Sequence, residues 1–367
     1  MRLRNERVLI LLITLLFFCI GAQSQNATQN PPTSNPSQPP AASPAPSSAP
    51  PAAGQQAPPP GQPPPAQSQE QAPPAGGQGQ APQNNDSGVF VFKTQVEEVV
   101  LHATVVDDKQ RMITGLDRNA FTVFEDGKPQ KITSFRHEDI PVSMGIVIDN
   151  SGSMREKRDK VNKAALNLVK SSNPQDEVCV VNFNDEYYLD QAFTSNINLL
   201  REALEKYETR GGTALYDAVV ASADELRKHA RLQKKVLFVV TDGEDNASRE
   251  SLEQAVRRLS EENGPTVYAI GLLGEEKARR ARRALQTMAE RSGGISFFPK
   301  TLDEVDEISR TVAHDIRNQY TIGYKPSTPK TAGGYRTIHV DAHAHGYNKL
   351  TVRTRSGYYP GQERAAN

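Results

Sequence analysis

Met144-Gly145-Ile146-Val147-Ile148-Asp149-Asn150-Ser151-Gly152-Ser153-Met154 is the stretch that decides the fold. Its first five residues are a short apolar run and read as a buried strand. The residues that follow, 155–170, have helical spacing. One carboxylate, Asp149, and two hydroxyls, Ser151 and Ser153, therefore stand where a strand hands over to a helix. Open α/β sheets place their ligands at that end of a strand. All three groups are hard oxygen donors, which suits Mg²⁺ or Mn²⁺ rather than zinc.

The surrounding chain alternates. Strands are predicted over 142–149, 177–183, 187–193, 235–241, 266–271 and 294–298. Helices are predicted over 154–170, 196–207, 215–231, 248–261, 275–291 and 302–319. The last helix is the cleanest, with Leu302, Val305, Ile308, Val312 and Ile316 on one apolar stripe. Alternation of this kind predicts an α/β domain, a doubly wound and mostly parallel sheet. The short link Asn184-Asp185-Glu186 predicts one antiparallel hairpin at the sheet's edge.

Two further loops can complete an oxygen site. Thr213 lies in Arg210-Gly211-Gly212-Thr213-Ala214-Leu215, a glycine turn that opens a helix. Asp242 follows the apolar run Val236-Leu237-Phe238-Val239-Val240-Thr241 and precedes Gly243. Taken singly, each piece is ordinary: an Asp or Ser at a strand end is commonly a helix cap, and Gly-Gly-Thr and Asp-Gly are common turns. The weight lies in three such motifs ending predicted elements on the same side of one sheet.

Asp149-x-Ser151-x-Ser153, then Thr213, then Asp242, in this order and separation, resemble the metal-ion-dependent adhesion site of von Willebrand factor type A domains. The resemblance covers about 141–323. It implies that the serines and one or both aspartates hold Mg²⁺ directly or through water, with Mn²⁺ or Ca²⁺ as alternatives. It also implies that the threonine switches between direct and water-mediated coordination. An Asp or Glu carboxylate of a protein partner would then complete the octahedron, so the implied activity is adhesion-type binding rather than turnover. Phe124-Glu125-Asp126-Gly127-Lys128 and Gly357-Tyr358-Tyr359 resemble the flanks of a bacterial exported subgroup of the family. Two other readings stay open at this point: a Mg²⁺-dependent phosphohydrolase, and a structural assembly factor whose metal stabilises the fold.

The flanks set the organisation. Residues 1–24 read as a signal peptide, with Arg2, Arg4 and Arg7 before an apolar core at 8–20, too short for a span of roughly 20 residues. Cleavage is expected after Ser24, leaving no membrane span; a retained anchor is the alternative. Phe17-Phe18 before Cys19 argues against a lipoprotein signal. Residues 25–86 form a Pro/Ala/Gln-rich linker, and Glu70 is its one charged residue between 26 and 85. Such a composition cannot bury enough apolar surface to offset ordering, so disorder is expected. At about 3.1 Å per residue its reach is on the order of 190 Å if fully extended. Segment 87–140 is β-rich, with an Asp126-Gly127 hairpin and a returning strand at 130–135. Segment 324–367 is β-rich again and is expected to pair with it, making a small sandwich around the inserted domain. The expected setting is exported: periplasm, cell surface or medium.

Charge and cysteine content narrow the partner class. The chain has 43 Lys+Arg against 43 Asp+Glu, so no overall field points to nucleic acid. After cleavage Cys179 is the one cysteine, set in an apolar run, and reads as a small buried hydrophobe. No phosphate-binding Gly-x-x-x-x-Gly-Lys loop or Gly-x-Ser-x-Gly elbow occurs, and no His neighbours the three motifs in sequence, so no enzyme is expected. Asp185, Glu186, Glu244 and Asp245 read as solvated loop charges near the proposed metal. His339, Asp341, His343 and His345 share a strand face and read as an exposed edge rather than a zinc site. Asn26-Ala27-Thr28 and Asn246-Ala247-Ser248 match the glycosylation pattern, which has many chance occurrences.

Overall fold

The computed structural model describes residues 98–206, 208–274 and 278–361. The expected signal peptide, the proline-rich linker and the first residues of the β-rich segment, among them an expected strand at 89–92, lie outside the described residues. The chain enters on β1 (Val99–Val106), followed by β2 (Phe121–Glu125), β3 (Lys128–Gln130) and β4 (Ile132–Arg136). The α/β region then runs β5 (Val142–Asp149), α1 (Arg158–Ser171), β6 (Glu177–Phe183), β7 (Tyr187–Thr194), α2 (Ile197–Glu205), α3 (Leu215–His229), β8 (Lys234–Thr241), α4 (Leu252–Leu259), β9 (Thr266–Gly271), α5 (Ala278–Ser292), β10 (Ser296–Phe297) and α6 (Glu304–Arg317). It closes on β11 (Tyr320–Tyr324), β12 (Arg336–Ala342), β13 (Thr351–Arg353) and β14 (Gly357–Tyr358).

The central sheet has the order β10-β9-β8-β5-β6-β7. Every pairing is parallel except β6 with β7, the edge hairpin the short link predicts. All eight residues of β5 are buried. A strand covered on both faces reads as a near-continuous apolar run rather than an alternating one, here broken by Ser143 and Asp149. Side-chain alternation then sorts the core into two layers. Met144, Ile146 and Ile148 pack with Leu168 of α1, Leu200 of α2 and Val312 of α6. Val147 and Val239 pack on the other face with Val219 of α3, Leu259 of α4 and Leu285 of α5. Gly145 is needed on that second face: a Cβ there would lie 2.7 Å from Leu237 Cδ2.

β5 has β6 on one side and β8 on the other, so the crossovers leave it in opposite directions. The crevice that such a reversal opens lies at the carboxyl ends of these strands, where Asp149 and Asp242 stand.

The two ends of the chain form two antiparallel sheets, β13-β1-β11-β4 and β14-β12-β2-β3. β1 pairs with β11 and β2 with β12, so neither sheet closes without both ends of the chain. Leu101, Val123, Ile322, Tyr324 and Val340 share one core between the sheets. Inside it Glu125 Oε2 accepts Tyr324 Oη at 2.6 Å and Tyr358 Oη at 3.0 Å, and Arg336 pairs with the same carboxylate. This buried knot ties residue 125 to the chain's last strands.

The elements differ from expectation where local chemistry intervenes. The segment 130–135 is not one returning strand. The chain turns through Asp126 and Gly127, both at positive φ, and β3 pairs with β2. It then changes sheet, and β4 pairs with β11. α1 begins at Arg158 rather than residue 154, because Gly152–Met154 form a 3-10 turn that presents the serines. α4 begins at Leu252 rather than residue 248. Ser251 caps it, its side chain accepting from Gln254 N while Gln254 Oε1 accepts from Ser251 N.

Candidate metal site

The site is built from three strand ends. At the first, Asn150 N donates to Phe183 O at 2.6 Å, which locks the chain leaving β5 onto β6. Met154 is fully buried and anchors the turn that follows. Between these two points the chain presents Asp149, Ser151 and Ser153.

Asp149 is inaccessible to solvent. Its Oδ1 accepts Ser151 N at 2.7 Å and its Oδ2 accepts Thr241 Oγ1 at 2.6 Å. Ser151 Oγ and Ser153 Oγ are 3.2 Å apart, and Ser153 Oγ donates to Asp242 Oδ1 at 2.7 Å. Lys157 Nζ pairs with Asp242 Oδ2. One chain of contacts thus runs from Thr241 through Asp149, Ser151 and Ser153 to Asp242 and Lys157.

Thr213 joins from the second loop and is buried. Its backbone N donates to Asn246 Oδ1 at 2.9 Å, and its carbonyl accepts Asn246 N at 3.0 Å. Its Oγ1 would lie 3.1 Å from a Cβ placed on Gly243, so the hydroxyl stands against the residue that follows Asp242. Gly212 N donates to Asp185 Oδ1 at 2.7 Å, and Gly152 N to Gly211 O at 3.3 Å. Gly211 holds φ +70, and a Cβ there would collide with Asp185 Oδ2 at 1.9 Å. The glycines are what let this loop close on its neighbours.

Burial pushes the Asp149 carboxyl above its ordinary value. The hydrogen bonds from Thr241 and Ser151 pull the other way, and the Asp242 charge pushes up again. A buried carboxylate in this position gains from a cation. The donor set is two carboxylates and three hydroxyls, all hard oxygens, and it fits Mg²⁺, Mn²⁺ or Ca²⁺. Asn150 Oδ1 adds a buried acceptor that has no hydrogen-bond partner among the described residues. Among those residues no three His, Cys, Asp or Glu side chains converge to hold a metal. This cluster has two carboxylates and takes its other oxygens from hydroxyls.

The neighbouring acids have assigned work. Asp185 holds Gly212, while Asp245 accepts Tyr216 N at 2.9 Å and Ser248 Oγ at 2.6 Å. Both are loop clamps rather than free rim charges. Glu244 faces Arg280 at 3.4 Å. His339 Nε2 and Asp341 Oδ1 meet at 2.8 Å on an exposed strand face, away from the oxygen cluster. Sequence reading missed Thr241, Lys157 and Asn246, each of which contacts a candidate ligand or its loop.

Residues 144–244 match the family model for the von Willebrand factor type A domain, a span that holds all five candidate ligands. That stretch of the chain is therefore similar to the type A domain. An uncharacterized protein of Synechocystis sp. is 22% identical over 185 residues, 48% of this chain and 44% of that protein, so the chain spans under half of that relative. Among solved structures, an aerotolerance-related membrane protein from Bacteroides fragilis matches 48% of this chain and 98% of its own at 18% identity, TM-score 0.40. A von Willebrand factor type A protein from Catenulispora acidiphila matches 73% of this chain and 74% of its own at 13% identity, TM-score 0.43. The von Willebrand factor domain of the type V pili tip protein Mfa5 from Porphyromonas gingivalis matches 48% and 97% at 13% identity, TM-score 0.39.

Proposed function

We propose that this type A domain binds a protein partner by holding a divalent cation, Mg²⁺ first, to which the partner presents an Asp or Glu carboxylate. Asp149, Ser151, Ser153, Thr213 and Asp242 would hold the ion. The observation that carries the reading is the hydrogen-bonded run Asp149-Ser151-Ser153-Asp242 at the switch point of the sheet: Ser151 N bonds Asp149, Ser151 Oγ meets Ser153 Oγ, and Ser153 Oγ bonds Asp242. Two carboxylates and neutral hydroxyls leave a divalent ion short of oxygen donors, and a partner carboxylate supplies both charge and coordination.

The burial pattern favours capture over a purely structural ion. Asp149, Ser151 and Thr213 are buried, whereas Ser153 is exposed, so the cluster opens to solvent on one side. Binding is the reading proposed for these contacts, which are hydrogen bonds and one ion pair. An exported setting fits the basic and apolar start of the chain and the proline-rich spacer after it. Among the described residues no helix is long and apolar enough to cross a membrane.

The test is recovery of partners from an envelope extract on the immobilised protein, with Mg²⁺ and then with chelator. The reading expects partners to be lost with chelator and from an Asp149→Ala bait. Unchanged recovery from a protein that circular dichroism shows to be still folded would refute metal-mediated capture.

A further inference from the structure

Lys157 sits in the turn between the serine-bearing segment and α1. Its backbone is fixed on both sides: Lys157 N donates to Met154 O at 2.8 Å, and Lys157 O accepts Val161 N at 3.1 Å. Only the side chain is free to choose a partner. It sends its ammonium to Asp242 Oδ2, while Asp242 Oδ1 accepts Ser153 Oγ. The Asp242 side chain is fully buried and that of Lys157 is 29% exposed. Both oxygens of one candidate metal ligand are therefore engaged, one by another candidate ligand and the other by a cation belonging to the chain. Among the described residues no salt bridge engages Asp149, whose two oxygens accept from Ser151 N and Thr241 Oγ1.

We infer that Lys157 is a built-in competitor for the metal: its ammonium and the divalent ion contend for Asp242, and the ion seats only as the lysine leaves. The inference rests on the metal reading given above and adds a determinant of how tightly the ion is held. With Lys157 in place the cluster of Asp149, Asp242 and Lys157 carries one net negative charge instead of two. A divalent ion arriving beside the ammonium is repelled, and displacing the ammonium breaks a charge-assisted contact. The partly exposed stem gives the side chain a way out to solvent, where the ammonium is readily hydrated. The same contact keeps Asp242 from being a buried carboxylate without a counter-charge while no metal is present. The site would then be stable both with and without the ion, at the expense of affinity.

The experiment is calorimetric titration of the full chain with MgCl₂, paired with thermal melts in chelator and in Mg²⁺. Lys157→Met removes the charge and keeps the stem. It is expected to bind Mg²⁺ roughly tenfold more tightly, a change of about 1.4 kcal/mol. It is also expected to melt lower in chelator and to gain more from Mg²⁺ than wild type does. Lys157→Arg keeps the charge and is expected to bind Mg²⁺ as wild type does. Lys157→Gln serves as the neutral variant if Met fails to fold. Mg²⁺ affinity in the neutral variant equal to or weaker than wild type overturns the inference; if wild type binds Mg²⁺ in that case, the metal reading survives alone. Binding by the neutral variant and none by wild type supports the inference, since the lysine then outcompetes the ion outright. No binding by either protein overturns both readings.

Discussion

Thr241→Val probes the least exposed contact of the site. The hydroxyl donates to Asp149 Oδ2 at 2.6 Å, and both residues are inaccessible to solvent. Valine fills nearly the same volume, so no cavity term enters and the loss is that of this hydrogen bond and of the longer one that Thr241 Oγ1 accepts from Gly243 N at 3.3 Å. A hydrogen bond to a charged group contributes about 1.5–3 kcal/mol, and water cannot replace the donor here. The variant should lose about 2 kcal/mol at neutral pH without metal, a fall in melting temperature of roughly 4–8 °C. The pH dependence follows from Asp149. Burial already sets its carboxyl above the unfolded value, and removing the Thr241 donor raises it further. A raised folded value means stability that is present at low pH and lost as pH rises through that value. The gap between variant and wild type should therefore narrow on acidification. In an Asp149→Asn background the hydroxyl faces a neutral group, and the same substitution should cost only about 1 kcal/mol. Chelated samples melted from pH 4 to 7 supply the measurement. A variant as stable as wild type at neutral pH, or a loss independent of pH, refutes the reasoning.

Three other outcomes are expected. Gly212→Ala would place a Cβ 2.6 Å from Asn246 Oδ1 and 2.8 Å from Asp185 Oδ1, displacing the loop that carries Thr213. Calorimetry should show Mg²⁺ binding weakened roughly tenfold or more, and an unchanged affinity would remove Thr213 from the ligand set. Burial raises Asp176 from 3.8 to about 6, so its contribution to stability is lost as pH rises across that interval. Urea unfolding should show the advantage of wild type over Asp176→Asn narrowing between those values, and widening would contradict the assignment. Burial pushes the Cys179 thiol up to about 12. Its own peptide should therefore acquire an alkyl group at neutral pH only as the protein unfolds, and prompt labelling of folded protein would show the strand to be accessible.

The sheet was legible because its strands are buried on both faces. An apolar run such as 144–148 has no other stable place, and the elements between such runs have to be helices. The pairing of the chain's ends was legible for a related reason: neither β segment can bury an apolar face alone. The change of sheet near residue 131 left no such mark. Gln130 and Ile132 are both buried, and nothing local distinguishes one strand from two. The start of α4 was misplaced because residues 248–251 have helix-compatible chemistry. Ser248 instead bonds Asp245, and Ser251 takes the cap.

The five candidate ligands stood out because each ends an element. Their supporting residues did not. Thr241 lies beside Asp149 only once the register is known, since Ile148 pairs with Val240 and the next step brings the two residues side by side. That register joins strands about ninety positions apart and is set by the whole sheet. Lys157 looked like any charge in the first turn of a helix. Its reach to Asp242 depends on the 3-10 turn that delays α1.

The central claim is that the oxygen cluster holds a divalent ion. Calorimetric titration of wild type and Asp149→Ala with MgCl₂, each shown folded by circular dichroism, tests it most directly. The account predicts one Mg²⁺ site in wild type and none in the variant; equal binding by the two proteins would contradict it.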